Sequence, residues 1–230
     1  MARAMRLLAR WHIWLGWLTG VPLLLWCVSG LVMVARPIEE VRGTTLRRDA
    51  APQALSAGTT LAIPLPAASR GRVTGAATKV EDGRIVTRLT FADGGVWRIG
   101  ADGRALGAFT EGEARRLVAR EIAGGGRVSA VTLFDAAHPP PDFRRPMAAW
   151  QITLADGTHV YVGRDSGAIE AVRTPWWRVY DFFWGLHIMD LQTREDTHHP
   201  TLILFAALAL GGSAMGTVLL FRRRKTRARA

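Results

Sequence analysis

The chain has a single cysteine among its 230 residues, Cys27, and it lies inside a long apolar run. No disulfide can therefore form within one chain, and any domain outside that run must be held together by its hydrophobic core. Lysine is also scarce, since only Lys79 and Lys225 accompany the many arginines. Together with the abundance of alanine and glycine, this usage is typical of a GC-rich bacterial genome.

Motifs that mark hydrolases and transferases are missing. The chain contains no His-Glu-x-x-His, no Gly-x-Ser-x-Gly and no glycine loop of the kind that cradles phosphate. His138 and His159 are isolated in the sequence. Four aspartates occupy turn positions, where a carboxylate bonds the local backbone: Asp93, Asp102, Asp156 and Asp165. We therefore predict that the chain is not an enzyme on its own, and no catalytic residue is assigned.

Acidic residues are absent from both ends of the chain. Residues 1–10 and 222–230 hold nine Lys or Arg and no Asp or Glu, whereas residues 36–198 hold the other 21 basic residues and all 19 acidic ones. Positive charge beside a membrane span marks its cytoplasmic side. Both tails are therefore predicted to be cytoplasmic. The basic C-terminal run is expected to contact anionic lipid as a stop-transfer signal, and no nucleic acid is expected as a partner.

Two long segments lack charged side chains and are predicted to be transmembrane helices, residues 11–35 and residues 199–221. As a helix, 25 residues extend about 37 Å, which exceeds the hydrocarbon core of about 30 Å. No Ala-x-Ala cleavage site follows the first segment, so we expect it to remain as an anchor. These features predict a protein of the bacterial inner membrane with its central domain in the periplasm.

Each predicted span carries two glycines at a spacing of four residues. These are Gly16 and Gly20 in the first span and Gly212 and Gly216 in the second. Such pairs let another helix approach closely. They predict either packing of the two spans against each other or contact with a protein partner or a second copy of the chain.

The region between the spans has a strand-and-turn pattern after a proline-containing linker at residues 36–69. Short β-type runs begin at Val73 and are separated by Asp-Gly turns. One helix interrupts them, because Thr110 and Glu113 form a capping box and three glycines after Ile122 stop the helical pattern. The pattern predicts an α+β domain with antiparallel sheets.

Two parts of this domain are similar to each other. Residues 89–102 align without gaps on residues 152–165, with six identities that include Asp-Gly at both turns. We therefore predict a degenerate repeat at 70–109 and a second repeat at 110–173. In the first repeat, Pro64 and Pro66 fall where a helix would be expected, so that helix should be shortened or lost.

The second repeat resembles the PepSY domain. Residues 113–119 read Glu-Ala-x-x-x-Val-Ala, and residues 150–162 read Trp-x-Ile-x-x-x-Asp-Gly-x-x-x-Tyr-Val. The spans also resemble the PepSY-associated membrane helices, with Trp-His-x-Trp-Leu-Gly opening the first and Leu-His-Ile-Met-Asp preceding the second. The resemblance implies an antiparallel sheet plus a helix in each repeat.

Two functions follow from this resemblance. PepSY domains are credited with inhibiting or regulating proteases, which implies a periplasmic binding or regulatory module for a protein partner. Larger membrane members are credited with haem-dependent reduction of ferric siderophores. The alternative is therefore a haem-binding membrane subunit that transfers electrons in iron or flavin reduction, with haem b as a possible cofactor.

An aromatic segment at residues 174–198 precedes the second span. As a helix, residues 176–191 place Arg178 and Asp181 on one side. The other side is aromatic and apolar: Trp176, Tyr180, Phe183, Trp184, His187 and Leu191. We expect this segment to lie flat in the membrane interface.

Four histidines near the predicted spans are candidate haem ligands, His187, His198, His199 and His12. A buried imidazole needs a partner, which is either a hydrogen-bonding group or a metal. His12 is predicted at the cytoplasmic end of the first span and the other three at the outer end of the second, so about 30 Å of bilayer separates them. Within one chain only the outer set could share an iron, and His12 would need a second subunit.

Overall fold

The computed structural model describes residues 2–48, 53–61, 63 and 73–227. The chain divides into two compact units, which we call the helical unit (Met1–Ile38 with Arg178–Ala230) and the sheet unit (Glu39–Trp177). Of the predicted linker, residues 38–48 form a short helix α2 (Ile38–Val41) and a 3-10 turn (Thr44–Leu46). Pro64 and Pro66, which were expected to shorten a helix, lie outside the described residues.

The sheet unit contains two antiparallel sheets. The first has the order β1-β2-β3 and the second the order β4-β5-β6-β7. Its strands and longest helix are β1 (Val73–Glu81), β2 (Arg84–Phe91), β3 (Val96–Gly100), α3 (Glu111–Glu121), β4 (Val128–Phe134), β5 (Ala149–Leu154), β6 (His159–Gly163) and β7 (Ile169–Arg173). The structure therefore has the predicted α+β class.

The capping box begins α3 as predicted. Glu113 N donates to Thr110 Oγ1, and Thr110 N donates to the Glu113 carboxylate at 2.8 Å. The helix buries one face against the second sheet, and because its apolar residues recur at helical spacing this face is continuous. The core there comprises Phe109, Ala114, Leu117, Val118, Ile122, Ile152, Leu154, Val160, Val162 and Val172.

The two sheets have the same register. In the first sheet Thr90 pairs with Val96 and Val86 pairs with Gly100, and the residues between them pair one to one. At the aligned positions of the second sheet, Thr153 faces His159 and Ala149 faces Gly163. Adding 63 to both residue numbers of a pair in the first sheet gives the corresponding pair in the second sheet, and this holds for all five pairs.

The turns and bulges also correspond. Gly95 N donates to Asp93 Oδ1 and Thr158 N donates to Asp156 Oδ1, both at 2.9 Å. A bulge follows the first residue of both β1 and β4. In each bulge a hydroxyl, from Thr74 or Ser129, donates to the facing carbonyl. Asp93-Gly94 and Asp156-Gly157 thus occupy equivalent turns.

The repeats differ at their fourth strand. In the second repeat β7 pairs with β6 over several residues. In the first repeat the equivalent segment is reduced to one bridge between Ile99 and Ala105. The first repeat also joins β1 to β2 by the two-residue turn Asp82-Gly83, whose φ angles of 49° and 74° suit a tight hairpin.

The helical unit is built from α1 (Ala2–Met33), α5 (Pro200–Arg227) and most of α4 (Pro175–His187). Two stretches are long and apolar enough to cross a membrane: Arg3–Met33 has mean hydropathy 1.8 and Pro200–Phe221 has 2.0. Helix α1 starts before the predicted residue 11 because the preceding Ala, Leu, Met and Arg residues favour helix.

The glycine pairs of the two long helices are used differently. Gly212 lies next to Leu15, and Gly216 lies under the His12 ring. A Cβ atom added at Gly16 or Gly20 would meet nothing within 4 Å. Of the two predicted contact faces, only the one on α5 is therefore occupied within the helical unit.

We predict that Gly125→Ala destabilises the sheet unit. A Cβ atom there would lie 2.0 Å from the Val118 carbonyl oxygen, at the end of α3. Overpacking of this kind costs about 1–3 kcal/mol. Gly126→Ala is the matched control, because nothing lies within 4 Å of its added Cβ. Thermal unfolding followed by near-UV circular dichroism measures the difference, and equal melting temperatures for the two variants would contradict the prediction.

Candidate functional site

A groove runs across the sheet unit and is lined by residues of β1, β2, β3, α3 and the segments that join them. Its volume is about 1010 Å³, at the upper end of the range of about 300–1,000 Å³ typical of ligand sites. The β1–β2 hairpin forms one wall, α3 forms the other, and the segment after β3 closes one end. The groove thus lies between the first repeat and the helix of the second.

The floor of the groove is apolar. It is formed by side chains from three parts of the chain, which are β2, the segment between β3 and α3, and α3 itself: Ile85, Val86, Leu106, Phe109 and Leu117. Val86, Phe109 and Leu117 are buried, whereas Leu106 is 37% exposed. An exposed leucine at the floor of a concave surface can gain free energy by contacting an apolar ligand group.

Arg98 lies at the base of the groove and is almost fully buried, with 7% of its surface exposed. Its guanidinium carbon lies 4.7 Å from the centre of the Phe109 ring. A Cβ atom added to Gly167 would lie 2.9 Å from Arg98 Nε and 3.0 Å from the Phe109 ring. The guanidinium is therefore packed on an aromatic ring, with the Gly167 backbone beside both.

Arg98 has little electrostatic compensation for its burial. Its Nε atom has no hydrogen-bond partner among the described residues. Its Nη2 atom lies 3.8 Å from the carboxylate of Glu81, which is closer to Arg88 at 2.5 Å. Burial lowers the pKa of Arg98, against the opposing effect of Glu81. A guanidinium nonetheless stays charged at neutral pH.

The acidic groups of the groove are all engaged. Glu81 pairs with two arginines, Asp82 with Arg120 and Asp102 with Arg104. Glu113 is held by the backbone and hydroxyl of Thr110 in the capping box. These contacts leave no carboxylate of the groove without a partner.

Two arginines of the groove differ from these acids, because no partner for their side chains is found among the described residues. Arg84 and Arg116 line the groove and are exposed. Neither forms a salt bridge within the described part of the chain, and no hydrogen bond of their side chains is found there. The groove lining holds four arginines and four carboxylates, and among the described residues the exposed ones without an ion pair are these two arginines.

A second polar cluster lies on the outer face of the second sheet. Asp142 accepts from Tyr161 Oη at 2.5 Å and contacts His159 Nδ1 at 2.8 Å. Gln151 Nε2 donates to Tyr161 Oη, and Arg173 Nε donates to the Asp142 carbonyl. The expectation that His159 is isolated is therefore wrong.

Hydrogen bonding decides the protonation states in this cluster. Burial acts to raise the pKa of Asp142, but the hydrogen bonds from His159 and Tyr161 outweigh it and lower the pKa. Burial and the bond to Asp142 raise the pKa of Tyr161. Both Asp142 oxygens are already bonded, so we assign the cluster the structural role of fastening the loop before Phe143 to the sheet.

His187, the first candidate ligand, packs against α1. Its Nδ1 lies 2.9 Å from Ser29 Oγ, and its ring centre lies 5.6 Å from that of Trp26. Because Ser29 donates its own hydrogen to the Trp26 carbonyl, its oxygen accepts from His187, and we place the imidazole hydrogen on Nδ1. A Cβ atom at Gly30 would lie 3.4 Å from the His187 ring.

His12 is bound in a similar way at the other end of the long helices. Its Nδ1 lies 3.1 Å from the Gly212 carbonyl oxygen. A Cβ atom at Gly216 would lie 2.8 Å from His12 Cε1. The ring therefore fills the space that the glycine leaves on α5.

Among the described residues, His198 and His199 contact only residues that are close to them in the sequence. His198 N donates to Asp196 Oδ1 at 2.8 Å, and His199 Nδ1 bonds the Thr201 hydroxyl. The His198 ring contacts the Thr197 hydroxyl, and it is the His199 backbone carbonyl that accepts from Leu202 N in the first turn of α5.

Two aspartates, Asp181 in α4 and Asp190 after it, order the loop between α4 and α5. Asp181, expected on the polar side of α4, is buried and paired with Arg194 at 2.5 Å. Asp190 accepts hydrogen bonds from the backbone of Gln192, Thr193, Glu195 and Asp196. Leu191 lies beyond the end of α4 and is exposed, so it does not extend the aromatic face as expected.

The residues around the four histidines do not fit a haem held within one copy of the chain. The cavity beside Trp26 and Met189 has no space for even a water molecule, whereas ligand sites typically have about 300–1,000 Å³. At His12, the helix backbone occupies the face of the ring. No group of three or more His, Cys, Asp or Glu side chains suited to a metal ion occurs among the described residues.

Comparison with known proteins identifies no relative. No family model matches the chain, and neither a curated protein nor a solved structure matches it significantly.

We predict that His187 makes the stability of the helical unit depend on pH. Burial lowers the His187 pKa from its ordinary value of 6.5, with the Trp26 carbonyl opposing the shift. The unfolded chain therefore binds a proton first as pH falls through about 6.5, so the folded state loses stability there. In His187→Gln this part of the loss should disappear.

Melting temperatures of the detergent-purified protein between about pH 7 and pH 5 measure this loss, since unperturbed histidine titrates there. His138→Gln is the control, because the His138 side chain is 83% exposed. A Soret band in the haem-supplemented protein that is lost in His187→Gln would show ligation in place of packing.

Proposed function

We propose that this chain is a membrane-anchored binding module that takes a segment of a protein partner into the groove of its sheet unit. The observation that carries the proposal is the groove, with an apolar floor and two exposed arginines without a salt bridge, in a unit without a catalytic constellation among its described residues. Concave apolar surfaces with a few placed polar groups are the usual form of binding sites.

The anchor is formed by α1 and α5 in this proposal. Within one copy of the chain, large apolar side chains on both helices are exposed, including Trp17, Leu31 and Leu210. Contiguous exposed apolar surface of this kind is covered by lipid or by another protein. With the basic tails in the cytoplasm of a bacterial cell, the sheet unit would face the periplasm.

A PepSY-type identity is consistent with this proposal. The shared register of the two sheets supports a duplicated unit of one helix and an antiparallel sheet, of which the second repeat keeps the helix. Regulation of a protease is one activity that such a module could perform through the groove, because proteases and their regulators both bind polypeptide segments.

The haem-binding alternative has no observation in its favour. His187 and His12 are both hydrogen-bonded to the neighbouring helix through Nδ1, which leaves Nε2 as the ring nitrogen for an iron, and the cavity beside Trp26 and Met189 is too small for a haem. Electron transfer in iron or flavin reduction is therefore not proposed for a single copy of the chain.

A random dodecapeptide library displayed on phage, panned on the full-length protein in nanodiscs, tests the proposal. We expect a family of peptides to be enriched and Leu106→Glu to weaken their binding by about tenfold, equivalent to about 1.4 kcal/mol. Leu133→Glu is the matched control, because Leu133 lies on β4 outside the groove and is similarly exposed at 43%.

Two results would contradict the proposal. One is the absence of any enriched peptide. The other is equal binding by the wild-type protein, Leu106→Glu and Leu133→Glu, which would place the peptide away from the groove.

A further inference from the structure

We propose that the groove selects a polypeptide segment bearing a carboxylate side chain next to an apolar one, with Arg84, Arg98 and Arg116 holding the carboxylate. This inference rests on the proposed function and specifies the chemistry of the partner.

The charge of the groove favours an anionic ligand group. All four of its carboxylates are already paired or hydrogen-bonded, whereas Arg84 and Arg116 have no salt bridge among the described residues. A cationic side chain entering the groove would therefore have to displace an existing pair. An incoming carboxylate would find guanidinium groups without such partners.

Arg98 gives this preference a fixed position. Its guanidinium is held in place by contact with the Phe109 ring and with Gly167, where an added Cβ would lie 2.9 Å from Nε. Burial removes it from water, and the 3.8 Å separation from Glu81 is too long for a hydrogen bond. A positioned charge that lacks full compensation binds an opposite charge with little reorganisation.

Arginine also suits a carboxylate in shape. The planar guanidinium presents parallel N–H groups that match the two oxygens of a carboxylate. Arg84 on the β1–β2 hairpin and Arg116 on α3 stand on opposite walls of the groove. A carboxylate between the walls would therefore have donors on both sides and Arg98 at the base.

The apolar floor restricts the ligand further. Leu106 is the exposed member of the floor and lies in the same groove as the three arginines. A segment that buries an apolar side chain there keeps its neighbouring residues within reach of the walls. A free carboxylate ion would gain nothing from that floor, which is why a polypeptide segment is the expected ligand.

The test compares synthetic peptides taken from the enriched phage with variants in which each Asp or Glu is replaced by Asn or Gln. Binding to the full-length protein in nanodiscs is measured by fluorescence anisotropy. We expect the enriched peptides to contain an acidic residue next to an apolar one. Amide replacement should weaken binding about tenfold to the wild-type protein.

The paired protein variant is Arg84→Gln/Arg116→Gln, which spares Arg98 because that residue also joins the two sheets. Both substituted side chains are exposed and unpaired among the described residues, so folding should be kept. The variant should bind acidic peptides about tenfold more weakly and no longer distinguish acid from amide. Arg127→Gln, an exposed arginine outside the groove, should behave like the wild-type protein.

Three results would overturn the inference. Enriched peptides without acidic residues, still sensitive to Leu106→Glu, would keep the binding module and remove the carboxylate preference. Peptide-competitive binding of phosphatidylglycerol vesicles, lost in Arg84→Gln/Arg116→Gln, would identify a lipid headgroup as the ligand. The absence of any peptide binding would remove the proposed function together with the inference.

Discussion

Two cross-strand neighbours, Arg88 and Arg98, join the first sheet to the second. Arg88 donates to the carbonyl oxygens of Ser166 and Gly167 at 2.8 and 3.0 Å, and Arg98 packs against both Gly167 and Phe109. Both act on the turn between β6 and β7. The groove depends on this junction, because Arg98 both contacts the second sheet at Gly167 and forms the base of the groove.

The equivalent positions of the second sheet carry a different chemistry. Gln151 and Tyr161 stand where the first sheet has Arg88 and Arg98, and they bond each other and Asp142. One register thus supports two uses of the same face. In the second repeat the face is closed by a loop around Phe143, which stacks on Tyr161 at 4.5 Å, whereas the first repeat uses it for contact between sheets.

Local patterns in the sequence predicted much of this fold. The capping box located α3, the Asp-Gly turns located the hairpins, and the gapless alignment predicted equivalent turns. The groove was not predictable, because Arg84, Arg98 and Arg116 come from separate elements and only the tertiary fold brings them together. Asp181 was misplaced because helical periodicity puts a charged residue outside, whereas Arg194 from the following loop compensates its burial.

Hydrogen exchange measured by mass spectrometry tests the location of the binding site most directly. The full-length protein in nanodiscs would be compared with and without a saturating enriched peptide. We expect slower exchange in residues 81–86 and 106–120, which form the walls and floor of the groove. Slower exchange confined to the outer strand β4, with the groove segments unchanged, would contradict this account.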